Sequence, residues 1–146
     1  MNIENFVPYL MVNDGVKAVD FYSKVFETSP FVLLKMPDDR VMHCEFRINN
    51  AKFFLSDEIP EHGGCPSPKA LGSTTVVTHI YVSDCDLLTE RMKNNGAEIL
   101  LEPTDMFFGE RYAKVRDPFG HEWGIGQKIK EMSPQEIEAA AEELFK

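Results

Sequence analysis

This chain repeats itself, and the repeat is what most limits the folds open to it. VPYLMVNDGVKAVDFYSKVF, starting at Val7, and VTHIYVSDCDLLTERMKNNG, starting at Val77, align without a gap at a spacing of 70 residues. Self-similarity at a fixed spacing marks a duplicated supersecondary unit. In each copy an alternating β-branched and aromatic run leads into Asn13-Asp14 or Ser83-Asp84. An aspartate there can accept hydrogen bonds from the free amides of a helix's first turn. Val16, Val19, Tyr22 and Phe26 predict the apolar stripe of one helix, Leu88 and Met92 that of the other, and Gly96 is placed to end the second in a left-handed turn. Strand-like stretches follow each helix: FVLLKM, VMHCEFRI and AKFFLSD in the first copy, EILLEP, RYAKVRD and HEWGIGQ in the second. The expected fold is α+β, one domain over 1–146 with tandem modules at 5–58 and 75–128. The Pro- and Gly-rich residues 59–74, beginning IPEHGGCPSPKALGS, read as the linker between them. In the tail, 133–146, Ser133-Pro134-Gln135-Glu136 spells a capping box. Ile137, Ala140, Ala141, Leu144 and Phe145 then line one face of a short helix, expected to pack on the domain or on a partner subunit.

Composition narrows the function. The chain carries 15 Lys and Arg against 24 Asp and Glu, a formal charge of −9, and its cations are scattered, which argues against nucleic acid. No apolar run approaches the roughly 20 residues needed to span a bilayer, and MNIENFVPYLMV lacks the features of a secretory leader, so the expectation is a cytoplasmic protein with no membrane partner. Cys44, Cys65 and Cys85 are odd in number and lack Cys-x-x-Cys spacing; free thiols are expected. No Gly-x-Ser-x-Gly is present, and no Cys can be paired with a His by spacing.

Four motifs in order carry a resemblance: DFYSKVF in the first helix, NNGAEIL after the second, VMHCEFRI with FFLSDE, and FFGERYAKVRDPFGHEWGIG at the end. Over about residues 5–128 the chain resembles the vicinal oxygen chelate superfamily of glyoxalases, dioxygenases and bleomycin-resistance proteins, and within it the PhnB-like branch. The resemblance implies tandem βαβββ modules whose curled mixed sheets form a cup, with a working site inside it, and a homodimer. In metal-dependent members a His, Gln or Glu sits on the first and last strand of each module, holding a divalent ion that chelates two vicinal oxygens. Carried onto this chain, those positions are Val7, Phe54 or Leu55, Val77 and Gly124, and none is a ligand. No metal and no other cofactor is therefore expected. Some members of the branch are labelled demethylubiquinone methyltransferases, yet no glycine-rich dinucleotide-type turn supports a methyl-donor site here.

The candidate ligand-binding residues follow from strand periodicity. His79 lies two residues beyond Val77 and shares a face with Tyr81. It is read as a pocket contact, as a ligand of a displaced metal site, or as a histidine of the core edge. His43 and Glu45 share a face of VMHCEFRI, Cys44 points the other way, and Asp57 ends the next strand. Asp117-Pro118-Phe119-Gly120 has the residue choice of a type I turn. Beyond it Glu122, Gly124 and Gly126 share a face on which the glycines are expected to leave a cavity, while Trp123 on the opposite face is a core residue or a ligand platform. Residues 102–112, EPTDMFFGERY, are either a loop laying Phe107, Phe108, Arg111 and Tyr112 over the site or a hairpin held by an aromatic cluster. Two functions stand: a metal-free binder of an unidentified small molecule, or an isomerase or lyase that uses a displaced metal site or acid–base work by His43, Glu45 and His79.

Overall fold

The computed structural model describes all 146 residues, in two compact units: Met1–Val76 with Phe119–His121, and Val77–Pro118 with Glu122–Lys146. The first unit runs β1 (Tyr9–Val12), α1 (Gly15–Val25), β2 (Val32–Lys35), β3 (Val41–Ile48), β4 (Ala51–Asp57), a 3₁₀ turn (Pro60–His62) and a one-turn helix α2 (Pro68–Leu71). The second runs β5 (Val77–Tyr81), α3 (Cys85–Asn94), β6 (Glu98–Asp105), β7 (Glu110–Arg116), β8 (Glu122–Lys128) and α4 (Pro134–Leu144). Each unit holds one four-stranded mixed sheet, ordered β1-β4-β3-β2 and β5-β8-β7-β6, open rather than closed into a barrel. In each, the first and last strands pair parallel and the others antiparallel. The two modules expected from the repeat are thus present, with the same topology. No helix is long and apolar enough to cross a membrane.

The repeat extends to the capping chemistry. Asp14 accepts from the Lys17 amide at 3.1 Å and Asp84 from the Leu87 amide at 2.9 Å, so both helices begin where their aspartates predict. Gly96 takes φ +103° just after α3, a conformation that a β-carbon disfavours. The apolar stripe of α1 is a different one from that expected. Gly15, Ala18, Phe21, Tyr22 and Val25 face the sheet, whereas Val16 is 49% exposed. The cause is Asp57 on β4, whose carboxylate accepts from the Gly15 amide at 2.7 Å and from the Val41 amide at 2.6 Å. That anchor sets the rotation of the helix about its axis, and a β-carbon on Gly15 would stand 2.3 Å from the carboxylate.

The core of the first unit is aromatic: Tyr22 and Phe53 meet edge-on at 5.2 Å, and Phe46 and Phe53 stack at 5.1 Å. Phe119, from the Asp-Pro-Phe-Gly turn, closes on Phe21 at 5.9 Å. The second unit buries Leu88, Thr89 and Met92 of α3, Ala113 and Val115 of β7, and Trp123 and Ile125 of β8. The linker has local order: Ser67 is fully buried, caps α2 through the Ala70 amide, and donates its own amide to Glu58 at 2.6 Å. That contact holds the Glu58 carboxyl below the usual glutamate range.

Candidate functional site

Away from its helix, each sheet presents a second face, and there the two modules use the same residue types differently. In the second module the register pairs His79 of β5 with Gly124 and Tyr81 with Gly126 of β8, while Tyr112 and Lys114 of β7 pair with Gly126 and Gly124. These residues therefore share one face. The His79 ring spans the two glycines: a β-carbon on Gly124 would stand 2.8 Å from its Nδ1, and one on Gly126 would stand 3.0 Å from its Nε2. The space expected to be a cavity is filled by this ring. His79 stacks on Tyr112, with centroids 5.7 Å apart and planes at 10°, and meets Tyr81 edge-on at 4.8 Å. Both His79 ring nitrogens lack a hydrogen-bond partner, and the residue is exposed, as is Tyr81 at 69%. Glu110 accepts from the Tyr81 hydroxyl and raises its pKa. The border is ionic: Glu122 bonds Lys114 at 2.8 Å and Arg116 at 3.5 Å, and Arg116 also meets Glu98 at 2.9 Å. Lys114 above all holds the Glu122 carboxyl below its ordinary value. Two cations and two carboxylates leave this border neutral.

On the corresponding face of the first module, Tyr9 of β1 hydrogen-bonds His43 Nδ1 through its hydroxyl at 2.8 Å, and the rings meet edge-on at 5.5 Å. Phe54 of β4 stands against both, 5.5 Å from Tyr9 and 5.0 Å from His43. Glu45, 9% exposed, accepts from Arg47 at 2.6 Å, and the Arg47 guanidinium lies 3.5 Å over the Phe31 ring.

The candidates thus separate. His79, Tyr81 and Tyr112 come together on one face; His43 and Glu45 share a face with Tyr9. Asp57 is placed elsewhere: it is 6% exposed on the helix side of its sheet, with both carboxylate oxygens engaged by backbone amides, so its role is structural. Trp123 is 1% exposed, its indole N–H donating to Asp117 at 2.9 Å, which makes it core. Arg111 also lies on the helix side, held by Asp86 of α3 and by Asp105, each at 2.8 Å. Residues 102–112 form a hairpin, since β6 runs to Asp105 and β7 begins at Glu110. Phe107 and Phe108 pack edge-on at 5.1 Å at its tip. Tyr9, Phe54 and Lys114 were missed, although Tyr9 stands 70 residues before His79 and Phe54 70 before Gly124. No group of three or more His, Cys, Asp or Glu side chains is arranged to hold a metal ion.

A protein of Pseudomonas aeruginosa shares this fold, with a TM-score of 0.68 at 20% identity over 86% of this chain and 98% of its own. So does a Bacillus cereus PhnB protein described as a putative 3-demethylubiquinone-9 3-methyltransferase, with a TM-score of 0.64 at 16% identity over 85% and 99%. At those identities the likeness is one of fold alone. An uncharacterised protein of Mycobacterium tuberculosis is nearer in sequence, 38% identical over 135 residues, 91% of this chain and 79% of that one. The family model of the Glyoxalase/Bleomycin resistance protein/Dioxygenase superfamily matches residues 3–125, and with the duplicated βαβββ modules this makes the chain a member of that superfamily.

Proposed function

We propose that this chain binds a small, uncharged, planar aromatic molecule on the β5-β7-β8 face of its second module, without a chelated metal. The observation that carries the reading is the His79 imidazole, seated over Gly124 and Gly126, stacked on Tyr112, and left with two unpaired ring nitrogens at the surface. Tyr81, at 67° to His79, forms a wall beside the stack. A planar ligand gains stacking from such a corner and a directional hydrogen bond from an imidazole nitrogen. The neutral border of Lys114, Arg116, Glu122 and Glu98 offers no uncompensated charge, which favours an uncharged ligand. The donor set does not fit a chelated divalent ion: Val7, Val77 and Gly124 supply no ligand atoms, and Glu122, opposite Val77, is bound by two cations. Free cysteines throughout support a reducing, cytoplasmic setting.

A second reading, an isomerase or lyase with His43 as its acid–base group, is favoured by one observation. Tyr9 fixes the His43 ring by its Nδ1 and leaves Nε2 for chemistry. Titration with a panel of fused-ring aromatic fragments, followed by NMR, separates the two. The binding reading expects shifts at His79, Tyr81 and Tyr112 with no conversion of the fragment, and no rise in melting temperature with nickel, zinc or manganese. Shifts confined to Tyr9 and His43, with chemical turnover, would replace it by the second.

A further inference from the structure

The last helix buries nothing. α4 is well specified, with Ser133 and Glu136 making both hydrogen bonds of the capping box. The segment before it is held to the β6-β7 turn, where the Ile129 and Lys130 amides both donate to the Gly109 carbonyl at 3.0 Å. Yet none of its residues is buried, and Leu144 and the adjoining Phe145 are 60% and 88% exposed. An 11-residue helix is marginal in water unless its apolar face is covered. The stripe of Ile137, Ala140, Ala141, Leu144 and Phe145 therefore calls for a surface. Charge says which kind, since Pro134–Leu144 carries Glu136, Glu138, Glu142 and Glu143 and no Lys or Arg.

A complementary surface exists at the β2 edge of the first unit. Phe31, Leu33, Leu34 and Met42 are 60%, 41%, 47% and 48% exposed there. Lys35, with no carboxylate partner, and Arg47, over the Phe31 ring, border this patch with positive charge. The patch has the apolar centre and cationic rim that an acidic amphipathic helix needs. Within one copy the helix stripe and the patch are both exposed.

We infer that α4 of one copy docks on the Phe31–Met42 patch of a second copy, in a two-fold dimer that makes the contact twice. A reciprocal exchange closes the assembly, whereas a single head-to-tail contact would propagate. One helix face on such a patch covers on the order of 500 Å² in total, so only the doubled contact reaches the roughly 1,000 Å² of a specific interface.

The test is light scattering on the full chain at about 50 μM, well above the dissociation constant of an interface of this size. The wild-type protein is expected at twice its 16.6 kDa chain mass. Leu144→Glu with Phe145→Glu in one variant, and Leu33→Glu with Met42→Glu in another, are each expected at the single-chain mass. All four side chains are exposed, so melting temperatures should hold and a lost dimer cannot be blamed on unfolding. An equimolar mixture of the two variants keeps one intact contact and is expected to recover some dimer. Three results would overturn the inference: a monomeric wild-type protein, which would mean that α4 is covered within its own chain or by another partner; a dimer surviving either variant; or particles larger than a dimer.

Discussion

The two modules place a tyrosine and a histidine on the same two strands, yet in opposite order and with opposite results. In the first, Tyr9 on β1 and His43 on β3 meet edge-on, joined by a hydrogen bond, with Phe54 of β4 standing against both. In the second, His79 on β5 and Tyr112 on β7 lie nearly parallel over a strand that has Gly124 in the place of Phe54. A side chain on the strand between them forces the rings upright and leads them to satisfy each other. Glycine lets them lie flat and leaves the imidazole nitrogens free. The backbone is repeated, and one position on the last strand decides whether the aromatic pair is closed on itself or open to a ligand.

The same strands differ at their helix-facing ends, and there the largest effect is expected. Asp57 and Gln127, 70 residues apart, both hold the first amide of the following module helix, Gly15 or Cys85. Asp57 holds the Val41 amide as well and is buried, whereas Gln127 has the one contact and is half-buried. Asp57→Ala should cost about 3 kcal/mol or more in denaturant unfolding, because two buried amides lose their acceptor; Gln127→Ala should cost about 1 kcal/mol. Equal losses would break the distinction. Next in size is Phe54→Ala, expected to cost about 2 kcal/mol by removing a half-buried ring packed on Tyr9 and His43. Gly124→Ala should cost less than about 1 kcal/mol, because the exposed His79 and Tyr112 rings can swing away from the new methyl. It should nonetheless abolish their stacking, visible as loss of the ring-current shift at His79. An intact stack in that variant would contradict the role given to the glycine.

The smallest expected effect is electrostatic. The Glu122 carboxyl is held below its unfolded value by Lys114 and then Arg116, so its contribution to stability is present above pH 4.5 and is lost as pH falls through the lower folded value. Glu122→Gln should remove that part of the acid limb of the stability profile, by no more than about 1 kcal/mol, and leave neutral-pH ring stacking unchanged. An acid limb identical to that of the wild-type protein would show that the border is not coupled to folding.

Much of the architecture was legible because it rests on local signals repeated twice: the aspartate caps, the strand alternation and the capping box of α4. The stripe of α1 was not, because Val16 and Val19 looked apolar enough to face inward, while the rotation of the helix is set by a contact from 42 residues away. Asp57 looked like a site residue because its chemistry is that of one; its repeat counterpart Gln127, together with its phase one residue off Glu45 across the register, marks it as a fold residue. Period-two reasoning placed His79 and Tyr81 together but could not show that the glycines beside them are covered by those rings, since that depends on side-chain rotation. Arg111 illustrates the same limit, since its partner Asp86 is on another element and no spacing along the chain announces it.

The central claim is that the open His79–Tyr112 pair, rather than the closed Tyr9–His43 pair, receives the ligand. The most direct measurement is calorimetric titration with the planar fragment of largest thermal shift, on the wild-type protein, His79→Ala and His43→Ala, with melting temperatures taken alongside. Loss of a stacking surface and a hydrogen bond at His79 should weaken binding roughly tenfold or more with the melting temperature nearly unchanged, while His43→Ala should leave affinity intact. Full affinity in His79→Ala, together with a large fall in its melting temperature, would show that this histidine supports the fold and would contradict the account.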